Sequence, residues 1–181
     1  RGERFSNMLT NKEARSRWDM NLADIYVIYP VADMVDINAA MGSTFGTTTQ
    51  FGVGYCRTKQ NIVSPREQLT LCGLQEFDSG ASIVWGIEME DNQNHLLPGE
   101  KQLSRSRSHI FSTTIIPTGE DSFDCEYVLQ LEIGNFPGWL ASPVIIETVK
   151  GFFRYADKYF QGGIGDGELA KYLEEQEKHV G

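Results

Sequence analysis

The chain has 181 residues, 40% of them hydrophobic and 23% charged, and a formal net charge of −9. That length fits one compact domain that needs no metal or disulfide staple, and the composition excludes wholesale disorder. With 16 basic against 25 acidic residues, the chain is a poor general nucleic-acid binder, which needs a positive field to displace counterions. The same balance disfavours permanent residence on anionic membranes but leaves transient contact open. No stretch reaches the ~18 consecutive apolar residues of a membrane span, and residues 1–20 are too charged for a signal peptide. A missing start methionine is compatible with removal of an upstream portion. Cys56, Cys72 and Cys125 are odd in number, far apart and without CxxC spacing. They read as buried, reduced thiols and point to a cytoplasmic protein.

Residues 4–19 predict two short helices. Phe5, Met8 and Leu9 form an apolar stripe, and Asn11 is an N-cap for a second helix ending at Trp18. From Asp24 the period drops to two, and Ile25 to Tyr29 read as a strand with much of both faces covered. Residues 32–47 have a mixed pattern and read as a long connection or an interrupted strand. Strands then follow at about 48–56, 66–76, 82–90, 106–117 and 123–133, with polar or Gly-containing turns after the second, third and fourth. Ile83, Trp85, Ile87 and Met89 share one face of the third strand of this run. In the last, Phe123, Cys125, Tyr127, Leu129, Leu131 and Ile133 alternate with polar residues, so one face is solvated and the other covered. Short connections make the sheet mainly antiparallel.

The cover for that apolar face follows. Ser142 is a candidate N-cap and Pro143 suits the first helical position, where its missing N–H costs nothing. Ile145, Val149, Phe152, Phe153, Ala156, Tyr159 and Phe160 then make a wide apolar stripe on a helix of about five turns. The domain runs over residues 1–162, and residues 163–181 read as a Gly-rich linker with a short peripheral helix. Helices, antiparallel strands and one long amphipathic helix give an α+β fold, a curved sheet around the helix. These patterns do not say whether the interior is filled or hollow.

Three segments together resemble a StAR-related lipid-transfer (START) domain. Arg15-Ser16-Arg17-Trp18-Asp19 resembles the family's R-x-x-W-D. Val63-Ser64-Pro65-Arg66-Glu67 is similar to its V-x-P-R-D, with Glu for the usual Asp. The stretch from Tyr127 to Tyr159 resembles its strand, P-x-W-L turn and final helix. The resemblance implies a helix-grip fold with a lipid-sized cavity. It implies non-enzymatic binding and intermembrane transfer of one lipid, with phosphatidylcholine-transfer-type members nearest in motif. Family members place a helix and three strands before the helix pair, and this chain begins almost at that pair, so the resemblance also implies an N-terminally incomplete domain. Pairing through the open sheet edge would make a homodimer.

Arg15 and Asp19 lie four apart on one helical face, so an arginine fork for phosphate can be oriented by a carboxylate; their counterparts in phosphatidylcholine binders serve the headgroup. Tyr55, Gln68 and His109 fall at or near the three aromatic positions of a choline cage. Only one aromatic is cleanly kept, which leaves another glycerophospholipid headgroup equally open. Trp85, Tyr127 and Phe152 are candidate wall residues, whereas Trp18 reads as structural packing. Pro65, Phe136 and Trp139 are the candidate gate and membrane-contact residues; burial of Trp139 as a helix anchor is the competing reading. No catalytic motif, metal site or cofactor site emerges: His95, His109 and His179 are scattered, without HExxH, GxSxG or a phosphate-cradling loop. A sterol or ceramide carrier, or a lipid-independent protein-interaction module, are the alternatives.

Overall fold

A computed structural model describes residues 5–6, 9–30, 34–42, 46–59, 64–97, 103–120, 122–133 and 137–160. Phe5–Ser6 and Leu9–Thr10 are helical, and α1 spans Lys12–Trp18. The Asn11 side chain accepts the Ala14 N–H at 3.0 Å, as an N-cap should. β1 is Leu22–Pro30, α2 Met34–Met41, β2 Thr47–Thr58, β3 Arg66–Glu76 and β4 Ser82–Glu88. A 3₁₀ turn at Asp91–Leu96 precedes the short β5, Ser104–Arg105; β6 is Arg107–Pro117, β7 Phe123–Glu132 and α3 Gly138–Phe160.

The strands form one sheet in the order β1-β2-β3-β4-β6-β7, antiparallel throughout. The exception is β5, which pairs in parallel with the start of β3. β7 alternates half-buried and exposed residues along its whole length. Its apolar face meets α3, where Tyr127 stacks on Phe152 at 5.4 Å and lies edge-on to Phe153 at 5.9 Å. Leu74, Val84 and Ile115 from the sheet pack with Phe5, Trp18, Phe152 and Ala156 into a buried core. Trp18 is fully buried and edge-on to Phe152 at 5.3 Å. This is the expected α+β grip of a curved antiparallel sheet on a long helix.

Four expectations need correction. Residues 34–41 are helical rather than extended or irregular. Val35 is 75% exposed and Met34 and Ile37 are only half-buried, so among its described side chains α2 fully buries no apolar residue that would announce it. It is pinned instead by Asn38, which exchanges two hydrogen bonds with the backbone of Thr48, and stopped by Gly42 at φ +70°. β1 is not covered on both sides: it is an edge among the described strands, and Val27 is 53% exposed. α3 starts at Gly138, before the expected cap at Ser142, and Pro143 lies inside it. The carbonyl that Pro143 cannot pair belongs to Trp139, 78% exposed, where water can satisfy it. Finally, β4 ends at Glu88, so Met89 is outside the strand. The expected linker and helix at 163–181 lie outside the described residues.

Candidate functional site

Between α1, α3 and the concave face of the sheet lies a cavity of about 260 Å³. Small-molecule sites run to roughly 300–1,000 Å³, so this one falls just below that range. β1 contributes Leu22, Ile25 and Val27; β2 contributes Gly54, Cys56 and Thr58; β3 contributes Gln68, Thr70 and Cys72. Ser108, Phe111 and Thr113 of β6 and Tyr127, Leu129 and Leu131 of β7 continue the wall, and Val149 and Phe152 of α3 close it. The period of two explains the selection, since alternate residues of each strand face inward. The Phe111 ring packs over its cross-strand partner Gly86, in the space that a Cβ there would need.

Arg15 and Asp19 border this space together. The Arg15 Nε–H donates to Asp19 Oδ2 at 3.0 Å, and Nη1 donates to the Leu9 carbonyl at 3.1 Å. The guanidinium is also 5.6 Å from the Trp18 ring and 5.4 Å from the Phe152 ring, within cation–π range. Asp19 is 3% exposed and accepts the Asn21 N–H on its other oxygen. The backbone N–H of Asp19 bonds the Arg15 carbonyl, so the same two residues also close α1. Arg15 Nη2 has no hydrogen-bond partner among the described residues.

The pair sets the field at this end of the cavity. Burial pushes the Cys56 thiol up to about 12, against the pull of Arg15 and with the push of Asp19. Burial likewise raises the Tyr127 phenol, opposed by Arg15 and reinforced by Asp19. Lys59 is lowered by burial and partly restored by Asp19. Gln68 is held from two sides: the Cys56 thiol donates to its Oε1 at 3.4 Å, and its Nε2 donates to Ser106 Oγ at 2.8 Å.

Arg15, Asp19, Gln68, Tyr127 and Phe152 are thus brought together around one cavity, as the sequence suggested. Tyr55 borders it, but strand register turns its ring to the opposite face with Leu69, and its hydroxyl lies 3.5 Å from Glu67 Oε2. Trp85 does not line the cavity. It sits on the outer face of β4 over Gly73 and 5.7 Å from Phe51, while its neighbour Val84 points inward. His109 also lies elsewhere, in the irregular start of β6, with Nδ1 on Glu88 and Nε2 3.5 Å from Glu132. Tyr55, Gln68 and His109 therefore do not converge, and the geometry builds no aromatic cage from them. Trp139 is exposed and Pro65, half-buried, directly precedes β3; Phe136 lies outside the described residues. The sequence reading missed the inward hydroxyls Thr70, Ser108 and Thr113, whose polarity inside a period-two strand was the available signal. Among the described residues, no group of three or more His, Cys, Asp or Glu is placed to hold a metal ion.

No protein-family model matches the chain, and no curated protein matches it. Solved structures do. The crystal structure of human STARD10 superposes with a TM-score of 0.63 at 20% identity, over 88% of this chain and 60% of that one. Human StAR-related lipid transfer protein 5 gives 0.63 at 16% identity, over 80% and 62%. The human StarD13 (DLC2) lipid transfer and protein localization domain gives 0.55 at 13%, over 75% and 58%. The chain therefore spans about three fifths of the length of these structures. At such identities the likeness is one of fold: this chain has the helix-grip fold of START-domain proteins.

Proposed function

We propose that the chain binds a single lipid in this cavity and carries it between membranes without covalent chemistry. The observation that carries the reading is a guanidinium whose Nη2 has no hydrogen-bond partner among the described residues, held by a buried carboxylate at the rim of a hollow that Ile25, Leu129, Leu131, Val149 and Phe152 help to enclose. A phosphate fits that donor, since arginine presents N–H groups in a fixed fork. The favoured ligand is a glycerophospholipid with its phosphate at Arg15. Two of the structural neighbours carry lipid transfer in their names, and the shared fold supports the comparison. The need for a carrier is large: exposing roughly thirty methylenes to water costs on the order of 20 kcal/mol.

The enclosed volume of about 260 Å³ is the observation that favours a second reading, a more compact sterol or ceramide. A two-tailed lipid has to extend past the β1 edge, where Val27 lines the cavity and is also 53% exposed. A second copy pairing along β1 would roof that opening, and sedimentation across a broad concentration range tests the homodimer. Loading calls for membrane contact. Trp139 and Ile146, 78% and 52% exposed, lie two turns apart on one face of α3 and form the apolar surface for it. Pro65 and Phe136 complete the proposed gate. Three free thiols fit a cytoplasmic carrier.

The test is transfer of phosphatidylcholine between vesicles. Arg15→Ala with Asp19→Ala slows it about tenfold or more, the worth of a lost charge-assisted hydrogen bond, with the far-UV spectrum intact. An unchanged rate removes headgroup recognition here. Native mass spectrometry of co-purifying ligand distinguishes phospholipid from sterol or ceramide by mass.

A further inference from the structure

The cavity floor is more polar than tail burial alone requires. Thr70, Ser108 and Thr113 all line it, and they are only 9%, 3% and 2% exposed. None of their hydroxyls has a hydrogen-bond partner among the described residues, yet none of the three oxygens is completely buried. What surface they retain therefore faces the cavity. At Thr70 the opening has a visible cause. Its cross-strand partner is Gly54, and a Cβ there would lie 3.6 Å from Thr70 Oγ1. The missing side chain leaves that oxygen uncovered. Burying hydroxyls with nothing to bond costs their desolvation with no return, and valine has the shape of threonine without that cost. The floor is thus built to be completed by oxygen atoms that the protein does not supply.

Their placement relative to the charged pair narrows the chemistry. Thr113 is the direct cross-strand partner of Tyr127, whose phenol feels both Arg15 and Asp19. Thr70 pairs with Gly54, two residues from Cys56, which also feels both charges. The oxygen-seeking positions therefore begin next to the charged end and continue along the floor. We propose that Thr70, Ser108 and Thr113 form a second polar subsite that takes the ester carbonyls joining a lipid's tails to its charged end. The inference rests on the carrier reading and selects an ester-linked diacyl lipid within it. A hydroxyl is both donor and acceptor, so it pairs with a carbonyl oxygen; an ether linkage lacks that acceptor, and a sterol carries no ester.

The probes are vesicles holding equal amounts of a diester phosphatidylcholine and its diether analogue of the same chain length. Native mass spectrometry of the full chain after incubation reads the loaded ratio. The wild type loads the diester about tenfold over the diether, the worth of one to two neutral hydrogen bonds. The triple variant Thr70→Val, Ser108→Ala, Thr113→Val loads both within about twofold at an unchanged melting temperature. Gly54→Ala, whose Cβ would lie 3.6 Å from Thr70 Oγ1 and 3.0 Å from Cys72 Sγ, covers Thr70 without removing its hydroxyl, lowers the preference part-way and serves if the triple variant does not fold. Equal loading by the wild type, or an undiminished preference in the variants, overturns the subsite while leaving the carrier intact. A protein that takes up no lipid at all overturns the carrier reading itself.

Discussion

Replacing Arg15 by methionine keeps an unbranched side chain over Trp18 and Phe152 but removes the charge. The Asp19 carboxylate, in a residue 3% exposed, then retains the Asn21 N–H as its remaining hydrogen bond among those described, with Lys59 as a nearby cation. Breaking a buried ion pair from one side costs about 3–5 kcal/mol, against 0.2–1 kcal/mol for an exposed pair. Arg15 is 20% exposed at its side chain, and the Asn21 bond survives, so the expected loss is about 2–4 kcal/mol. Asp19→Asn keeps the shape and one acceptor, and leaves Arg15 bonded to the Leu9 carbonyl; its cost is about 1–2 kcal/mol. Because each single change strands the other group, the double variant costs at least about 1 kcal/mol less than the sum. The assay is urea unfolding at pH 7. With a slope of roughly 2 kcal/mol per molar, Arg15→Met lowers the midpoint by about 1–2 M. A midpoint within about 0.2 M of wild type, with additive singles, would show an ordinary solvated pair and refute the reasoning.

Cys56, pushed up to about 12 by burial, is roughly one part in ten thousand thiolate at pH 8, where a free cysteine is about one quarter thiolate. Its labelling in the folded protein should be on the order of a thousandfold slower than after unfolding; equal rates would contradict its placement in the cavity wall. Glu67 is 3% exposed, and burial raises its carboxyl above the usual range, opposed by the Tyr55 hydroxyl, the Leu103 N–H, Arg105 and Arg57. An acid with a raised folded value adds stability below the ordinary glutamate range, and that contribution is lost as the pH climbs through the raised value. Glu67→Gln should therefore gain on the wild type as pH rises above that range; parallel stability–pH curves from denaturant titrations would contradict this. Gly86→Ala should cost about 1–3 kcal/mol in thermal or urea unfolding by driving the Phe111 ring off its partner; a neutral substitution would mean that the ring moves freely.

Much of the fold was legible because its signals are local. The period of two marks β1 to β4, β6 and β7, though not the two-residue β5, and the strict alternation of β7 even announced a covered face. The wide stripe of α3 named its partner face. The Arg15–Asp19 pair followed from an i,i+4 spacing that any helix brings together. α2 was lost for the converse reason: it is held by one asparagine side chain and fully buries no apolar residue among its described side chains.

What a strand's period cannot supply is the sign of its two faces when both are apolar. In β4, Ile83, Trp85 and Ile87 alternate with Ser82, Val84 and Gly86, and the larger set looked like the inner wall. The decision lies in neighbouring strands: Gly73 leaves room for the Trp85 ring on the outside, and Gly86 leaves room for Phe111 within. The same parity sends Tyr55 outward to Glu67, and an irregular register carries His109 away from the cavity. The sequence by itself determined the elements, their order and the one charged pair, because these depend on residues a few positions apart. Only the tertiary structure decided which side chains meet across the sheet and that hydroxyls, not hydrocarbon alone, floor the cavity, because curvature and cross-strand register are set by residues distant in the chain.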